Sequence, residues 1–271
     1  MSSRRFLIAA LAVSTLFACG KPAEQPAHDG HQAAGGYRGD GLSETYAGLR
    51  LEKVDADSPN EFAFRILGPD GQAETEFTPE QTKRMHFYVV RDDVTGYQHV
   101  HPTMSPDGVW TAGITPLSPG NYRVYTQFTA GGSDGMPVTP VLSTSVTVPG
   151  VAGARTPLPP VSDTAIADGY SVKLSERNLH PGMDMPITMT VTKDGRPVTD
   201  LQPYLETSAH VTAIHEGDLA FAHLHPEGEA TTGPELELTA NLPKPGKWRL
   251  FIQFQTDGTL HTAPVTVDTV S

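Results

Sequence analysis

Only one cysteine, Cys19, occurs in 271 residues. A single chain can therefore form no internal disulfide and no cysteine-based redox pair. Long apolar runs are missing as well. The run at residues 6–17 falls well short of the ~20 residues that cross a bilayer as a helix. Basic residues are scarce: 19 Lys and Arg stand against 31 Asp and Glu, for a net charge of −12. Such a surface repels phosphate backbones and attracts cations, which argues against a nucleic-acid partner. Charged residues of both signs reach only 18%, so Thr, Ser, Gln and Asn must cover much of the surface. Also missing are a phosphate-binding glycine loop, C-x-x-C and a recognisable carboxylate pair. Asp92-Asp93 is better explained as turn chemistry. The chain reads as a non-enzyme.

What is abundant is equally directive. The 26 glycines and 24 prolines disfavour long helices and suit short strands joined by turns. At 38% hydrophobic residues, the chain can fill a core in each of two modules of about 100 residues. Its start has the layout of an exported protein. Arg4 and Arg5 precede the apolar run at 6–17, which reads as a signal-peptide core, residues 1–18. Leu16-Phe17-Ala18-Cys19 resembles a bacterial lipobox, with Phe17 departing from its pattern, and implies lipidation of Cys19. Arg4-Arg5-Phe6-Leu7 also resembles a twin-arginine export signal, without the usual spacer residue. Residues 19–41 are polar and glycine-rich and form a flexible tether, within which His28 and His31 read as solvated.

From residue 42 the text changes to short β-rich runs at 61–67, 85–90, 122–128 and 143–148, bounded by Gly, Pro or Asp. Residues 150–167 are a Pro/Gly/Ala linker, and a second β-rich stretch follows. Residues 70–102 lie on 194–226 without a gap, Asp70-Gly71 meeting Asp194-Gly195 and Pro79 meeting Pro203. Further on, Pro119-Gly120-Asn121-Tyr122-Arg123 parallels Pro245-Gly246-Lys247-Trp248-Arg249, and both copies reach Gln-Phe, at Gln127-Phe128 and Gln253-Phe254. The chain is an internal duplication. The expected fold is all-β: two tandem antiparallel β-sandwich modules of immunoglobulin or cupredoxin type, residues 42–149 and 168–271.

Each copy carries the pattern H-x12-H-x-H-P: His86, His99 and His101, then His210, His223 and His225. Residues 91–96 are turn-forming, and a hairpin centred there pairs His86 with His101 and Tyr88 with His99. Opposed residues share a face, as do residues i and i+2, so three imidazoles project from one side of one hairpin. The second hairpin, centred on Glu216-Gly217-Asp218, repeats this with His210 opposite His225 and Thr212 opposite His223. Three imidazoles from such positions can converge on an ion about 2 Å from each nitrogen. Neutral imidazole suits zinc, copper, nickel or iron. The competing reading makes the same rings hydrogen-bonded core or rim residues. Thioether sulfur favours Cu(I), and Met104 and the Met183-Asp184-Met185 run after His180 are its candidate sources, against the commoner use of methionine as core filler. His215 and His261 read as surface histidines.

The lipobox, the tandem layout and the phrases Tyr97-Gln-His-Val-His-Pro102 and Leu219-Ala-Phe-Ala-His-Leu-His-Pro226 resemble a group of bacterial secreted and lipoprotein sequences. That resemblance implies an extracytoplasmic β-sandwich protein connected with copper or other heavy metals, and brings no enzyme activity. A second, weaker resemblance joins Gly217, His223, His225 and Glu229 to the first metal motif of cupins; Leu236 stands where a glycine is expected, and the later motif has no match. The expectation is thus an envelope lipoprotein, periplasmic or extracellular, whose modules each bind copper or zinc through three histidines. The alternative is a metal-free structural or adaptor lipoprotein that binds another envelope protein.

Overall fold

In the strand His86–Arg91, alternating side chains serve two different apolar layers. Phe87 and Val89 enter a core with Leu49, Phe64, Ile66 and Trp110. Tyr88 and Val90 enter another with Tyr125, Ile214, Phe221 and Phe251. A strand buried on both faces must lie between two packed layers, and the layer order of the molecule follows from that. The computed structural model describes residues 39–226 and 230–270, with the His225 side chain outside the description. The signal region, Cys19, His28, His31 and Glu229 also lie outside the described residues.

The first half is a sandwich. One sheet runs Thr45–Tyr46, Leu49–Val54, Glu61–Leu67, Trp110–Gly113 and Thr103–Met104. The other runs Val141–Val148, Gly120–Gln127, His86–Arg91 and Gln98–Val100. The second half follows the path Thr164–Ala167, Tyr170–Leu174, Met185–Lys193, Glu235–Ala240, Phe221–Pro226, His210–His215, Gly246–Thr256 and Thr259–Thr269. Its core gathers Val172, Ile187, Met189, Val211, Ala213, Trp248 and Phe254. No helix occurs among the described residues. Expected and observed strands agree within two residues, and Thr164–Ala167, which by composition belongs to the linker, is an edge strand.

The H-x-H-P segments sit where the chain passes from one sheet to the other. Gln98–Val100 pairs with the His86–Arg91 strand, and after Pro102 the chain joins Trp110–Gly113 through Thr103–Met104. In the second half one strand makes the same passage. Its residues from Phe221 to Leu224 pair with His210–His215, and His225 and Pro226 pair with Glu235–Ala240. Proline has no N–H to offer a continuing ladder, which suits it to this corner.

The two halves meet through the outer faces of matching sheets, and the contacts are reciprocal. Tyr97 stacks on Phe251 with centroids 4.0 Å apart, and its counterpart Phe221 lies 5.2 Å from Tyr125, the counterpart of Phe251. The Tyr97 hydroxyl meets Thr212 Oγ1 at 2.8 Å, while the Tyr125 hydroxyl donates to the Leu219 carbonyl at 2.6 Å. Val94 and Leu219, at the two hairpin turns, are both buried in this layer and both have positive φ, 61° and 62°. Left-handed backbone is unfavourable for a β-branched residue. Asp93 offsets that cost at the first turn, accepting from Thr95 and Thr156 and pairing with Arg91 at 2.8 Å.

Two straps reinforce the junction. In the linker, Arg155 donates to the Asp92 carbonyl and Leu158 packs against the shared layer. At the end of the tether, the Asp40 carbonyl accepts the Phe221 N–H at 2.8 Å, and the Gly41 carbonyl accepts the Ser143 hydroxyl. Residues 39–41, grouped with the flexible tether on composition, are therefore part of the fold. A Cβ at Gly41 would stand 2.7 Å from the Phe221 Cβ, so only glycine fits that crossing.

Phe251→Ala removes a ring that is 5% exposed and should cost about 3–5 kcal/mol of stability in urea denaturation. Leu260→Ala, at a side chain 38% exposed, should stay within about 0.5 kcal/mol. Equal effects would contradict a shared core between the halves.

Candidate metal centre

Both hairpins pair in the register that brings their histidines to one face. Tyr88 is opposite His99 and Phe87 opposite Val100; Thr212 is opposite His223 and Val211 opposite Leu224. Phe87, Val89, Val211 and Ala213 point away into the two sandwich cores. The histidine faces are the outer faces, so packing the halves together brings both sets into the same place.

One ring nitrogen from each of His86, His99 and His210 lies within 4.8 Å of one from each of the others. Two of these residues belong to the first half and one to the second. Where the expectation is a three-histidine cluster in each module, the cluster found among the described residues is a joint one. His86 and His210 have no exposed surface, and His99 is partly buried. His99 lies stacked between Tyr88, at 4.3 Å, and His210, at 4.6 Å. His101 stands edge-on to His86 and His99, at 5.0 and 4.8 Å, and its buried Nε2 has no hydrogen-bond partner. His223 is edge-on to His210 at 4.4 Å. Of the six expected ligands, three form the triad, two flank it, and the His225 side chain lies outside the description.

The outer nitrogens of the triad face oxygen acceptors. His86 Nε2 lies 3.1 Å from the Glu80 carbonyl, His99 Nδ1 2.7 Å from Gln253 Oε1, and His210 Nδ1 3.0 Å from Gln81 Oε1. A neutral imidazole has one N–H, and each ring has an oxygen acceptor placed to receive it on the outer side. The inner nitrogens are then His86 Nδ1, His99 Nε2 and His210 Nε2. The first two face each other at 3.1 Å, and the third faces the Tyr88 hydroxyl at 3.1 Å. Tyr88 Oη lies 3.1 Å from Gln127 Oε1 as well, so its single proton serves either that oxygen or His210 Nε2, and the Gln127 amide lies 3.2 Å from His223 Nδ1. Gln127–His223 and Gln253–His99 are one contact, made once by each half.

Strained backbone holds two of these acceptors. Gln81 and Thr82 have φ of 46° and 69° in a two-residue turn closed by mutual Glu80–Lys83 bonds, and Leu205 and Glu206 repeat it at 55° and 66°. Such turns favour Asn and Gly. The cost of placing Gln81 there brings its amide to His210 and the Glu80 carbonyl to His86. Pattern-reading of the histidines alone passes over Glu80, Gln81, Tyr88, Gln127 and Gln253. Their one visible signal is the Gln-Phe pair shared by the two copies.

Burial drives the imidazole pKa values down. His86 falls to about 4 through loss of solvent, opposed by its bond to Glu80 and aided by the charge of Lys83. His101 falls to about 3 through burial, then the neighbouring His86 and Lys83. His99 lies well below its ordinary value, first through burial and then through His210, His101 and His86. These rings are neutral at pH 7, the state in which imidazole ligates.

The other expectations resolve simply. Met104 and Met185 pack against the two sandwich cores, and the Met185 sulfur accepts the His180 N–H at 3.1 Å. Met183 is exposed. His261, expected at the surface, is buried and bonded to Asp168 at 2.8 Å and Thr256 at 2.9 Å. His215 is held by Asp218 at 2.6 Å and the Pro245 carbonyl at 3.1 Å.

Residues 41–139 and 164–271 match the family described as domain of unknown function DUF8832, and the chain belongs to that family, with two copies of its domain. No curated protein matches the chain. Among solved structures, the Escherichia coli adhesin FdeC is 13% identical, with 83% of this chain and 64% of that one covered and a TM-score of 0.27. A tetra-tandem repeat from the extending region of a large adhesion protein is 14% identical over 81% of this chain and 49% of that one, TM-score 0.25. Domains 4 and 5 of the S-layer protein SbsC are 12% identical over 82% and 99%, TM-score 0.25. The chain thus spans less than two thirds of the length of the two adhesion proteins.

An imidazole held at about 4 when folded and 6.5 when unfolded takes up its proton first in the unfolded chain. Stability of the metal-free protein should therefore be intact above about pH 6.5 and fall as the pH drops toward 4, by roughly 3 kcal/mol for His86 alone. Urea midpoints across that range check this. A flat profile, or an unchanged slope in His86→Gln, would contradict the burial of a neutral ring.

Proposed function

We propose that this member of the DUF8832 family is a non-enzymatic envelope lipoprotein that holds a transition-metal ion, copper or zinc, between its two halves. The observation that carries this reading is an oxygen acceptor at the outer nitrogen of each of three clustered imidazoles. With each N–H given outward to its oxygen, the inward nitrogens His86 Nδ1 and His99 Nε2 would be ligand atoms, and His210 Nε2 would join them in place of its contact with Tyr88. An outward N–H to a carbonyl or amide oxygen is the habitual second layer of a histidine metal ligand. His86 Nδ1 and His99 Nε2 lie 3.1 Å apart, and with both protons outward a positive charge between them would offset the repulsion of their lone pairs. Ligands about 2 Å from one ion lie roughly 3.3–3.5 Å from each other, close to that separation. His86, His99 and His210 would hold the ion, with Gln253, Gln81 and Glu80 orienting them.

The lipobox ending at Cys19 supports an anchor in the cell envelope, facing the periplasm or the outside. With the tether ending at the junction of the halves, the ion would sit close to where the anchor joins the folded body.

The second reading is a metal-free structural or adaptor lipoprotein that binds another envelope protein. One observation favours it: a single proton shared by His86 Nδ1 and His99 Nε2 would satisfy the same geometry without an ion.

Calorimetric titration of the metal-free chain with Cu(II), Zn(II) and, without oxygen, Cu(I) separates the two. One ion should bind per chain. His99→Ala or His210→Ala should abolish binding, although the two residues lie in different halves. Gln253→Leu should weaken it about 10–100-fold. Absence of binding by every ion would leave the adaptor reading.

A further inference from the structure

The two copies close one end of their sandwiches differently. In the second half the connection from Tyr170–Leu174 to Met185–Lys193, residues 175–184, carries a short extra strand, Asn178–Leu179. This strand lies parallel to the end of Thr259–Thr269, with Asn178 opposite Asp268 and Leu179 opposite Thr269. The Arg177 and Leu179 carbonyls accept the N–H groups of Asp268 and Val270, both at 2.9 Å. Leu179 is buried in the core with Val172, Ile187 and Leu242.

In the first half the matching connection, from Leu49–Val54 to Glu61–Leu67, is residues 55–60 and holds no strand. The edge it leaves is fixed by register: Thr147 lies opposite Asn121 as Asp268 lies opposite Lys247, and those partners are matched positions. Ser143 sends its N–H outward to the Ser43 carbonyl, and by the period of two Thr147 points its own the same way. Among the described residues no main-chain acceptor meets it. Beside this edge lies a cavity of about 360 Å³, lined by Phe62, Ile114, Leu117, Val146 and Val148. The second half therefore shows what the first half lacks: an extended segment for the edge and one branched apolar side chain for the cavity. The chain's own tether does not supply it, since residues 20–38 contain no Leu, Ile, Val, Phe or Met. Asp55 and Glu61 stand at the cavity against the single cation Lys53, whose ammonium lies 5.8 Å from the Phe62 ring centroid, so a basic segment complements the rim. Pro149 takes the place of Val270 and offers no N–H, which limits the added strand to a short one.

We propose that the open end of the first half docks a short, basic, extended segment of another protein, as a strand added beside Thr147 with a branched apolar side chain in the cavity. This place shares no residue with the histidine cluster and does not depend on an ion being bound there.

The probe is a labelled peptide copied from the second half, Leu174-Ser-Glu-Arg-Asn-Leu-His-Pro181, added to the full chain and followed by fluorescence polarisation and amide hydrogen exchange. It should bind saturably with a Kd below about 1 mM and slow exchange of the Thr147 amide about tenfold or more. Replacing the second leucine of the peptide by alanine should weaken binding about tenfold, and replacing its glutamate by lysine should tighten it at low salt. Thr147→Pro removes the donor at an edge position, where proline is tolerated, and should abolish binding. If Thr147→Pro does not fold, by circular dichroism, Leu117→Trp fills the cavity instead and should have the same effect. No saturable binding, or binding that leaves Thr147 exchange unchanged, would overturn the proposal. Sedimentation of the chain alone provides a further check: a dimer dissolved by either variant would assign the open edge to a second copy and overturn the reading of a separate partner.

Discussion

Everything distinctive about this chain depends on one packing event: the outer faces of two homologous sheets press against each other. Tyr88, Val90, Val94, Tyr97 and Tyr125 from the first half meet Ile214, Leu219, Phe221 and Phe251 from the second. Because the halves are copies, the ring stacking and the glutamine–histidine contact recur with the roles exchanged, as in a two-fold dimer interface. The pairing Tyr97–Phe251 answers Phe221–Tyr125, and Gln253–His99 answers Gln127–His223. The strands His86–Arg91 and His210–His215 are thereby buried on both faces and become the centre of the molecule.

That packing makes the histidines expensive. Placing five imidazoles beside an apolar layer incurs a desolvation cost unless their polar atoms are paired. The structure meets it with neutral rings, two reciprocal glutamines, a tyrosine hydroxyl and a backbone carbonyl offered by a strained turn. Polar networks of this kind are favourable only when complete. The positions most in need of completion are the inward lone pairs of His86 and His99, and the buried Nε2 of His101. A purely structural interface would be more stable with apolar residues there, which is why the inward direction of these groups carries the functional reading.

How much of this was legible in the sequence differs from level to level. The strands and the hairpin registers were, because alternation and turn residues are local signals: Asp93, Gly96 and Gly217 mark the turns, and the side-chain period of two does the rest. The duplication was legible from the match of residues 70–102 with 194–226. The fusion of two clusters into one was not. Nothing local tells whether the outer face of a sheet looks at water or at another sheet. The glutamines were hidden for a related reason, since Gln127 and Gln253 sit on strands remote in sequence from the histidines they serve. His261 was misjudged because its partners, Asp168 and Thr256, come from two separate hairpins.

The claim at the centre of this account is that three imidazoles turn their N–H groups outward and their lone pairs toward one another. Long-range nitrogen–proton NMR correlations of the histidine side chains in the metal-free protein read the tautomers directly. His86 should carry its proton on Nε2, and His99 and His210 on Nδ1. Finding His99 protonated on Nε2, or His86 on Nδ1, would mean that the two rings simply bond to each other and that no cation is called for between them.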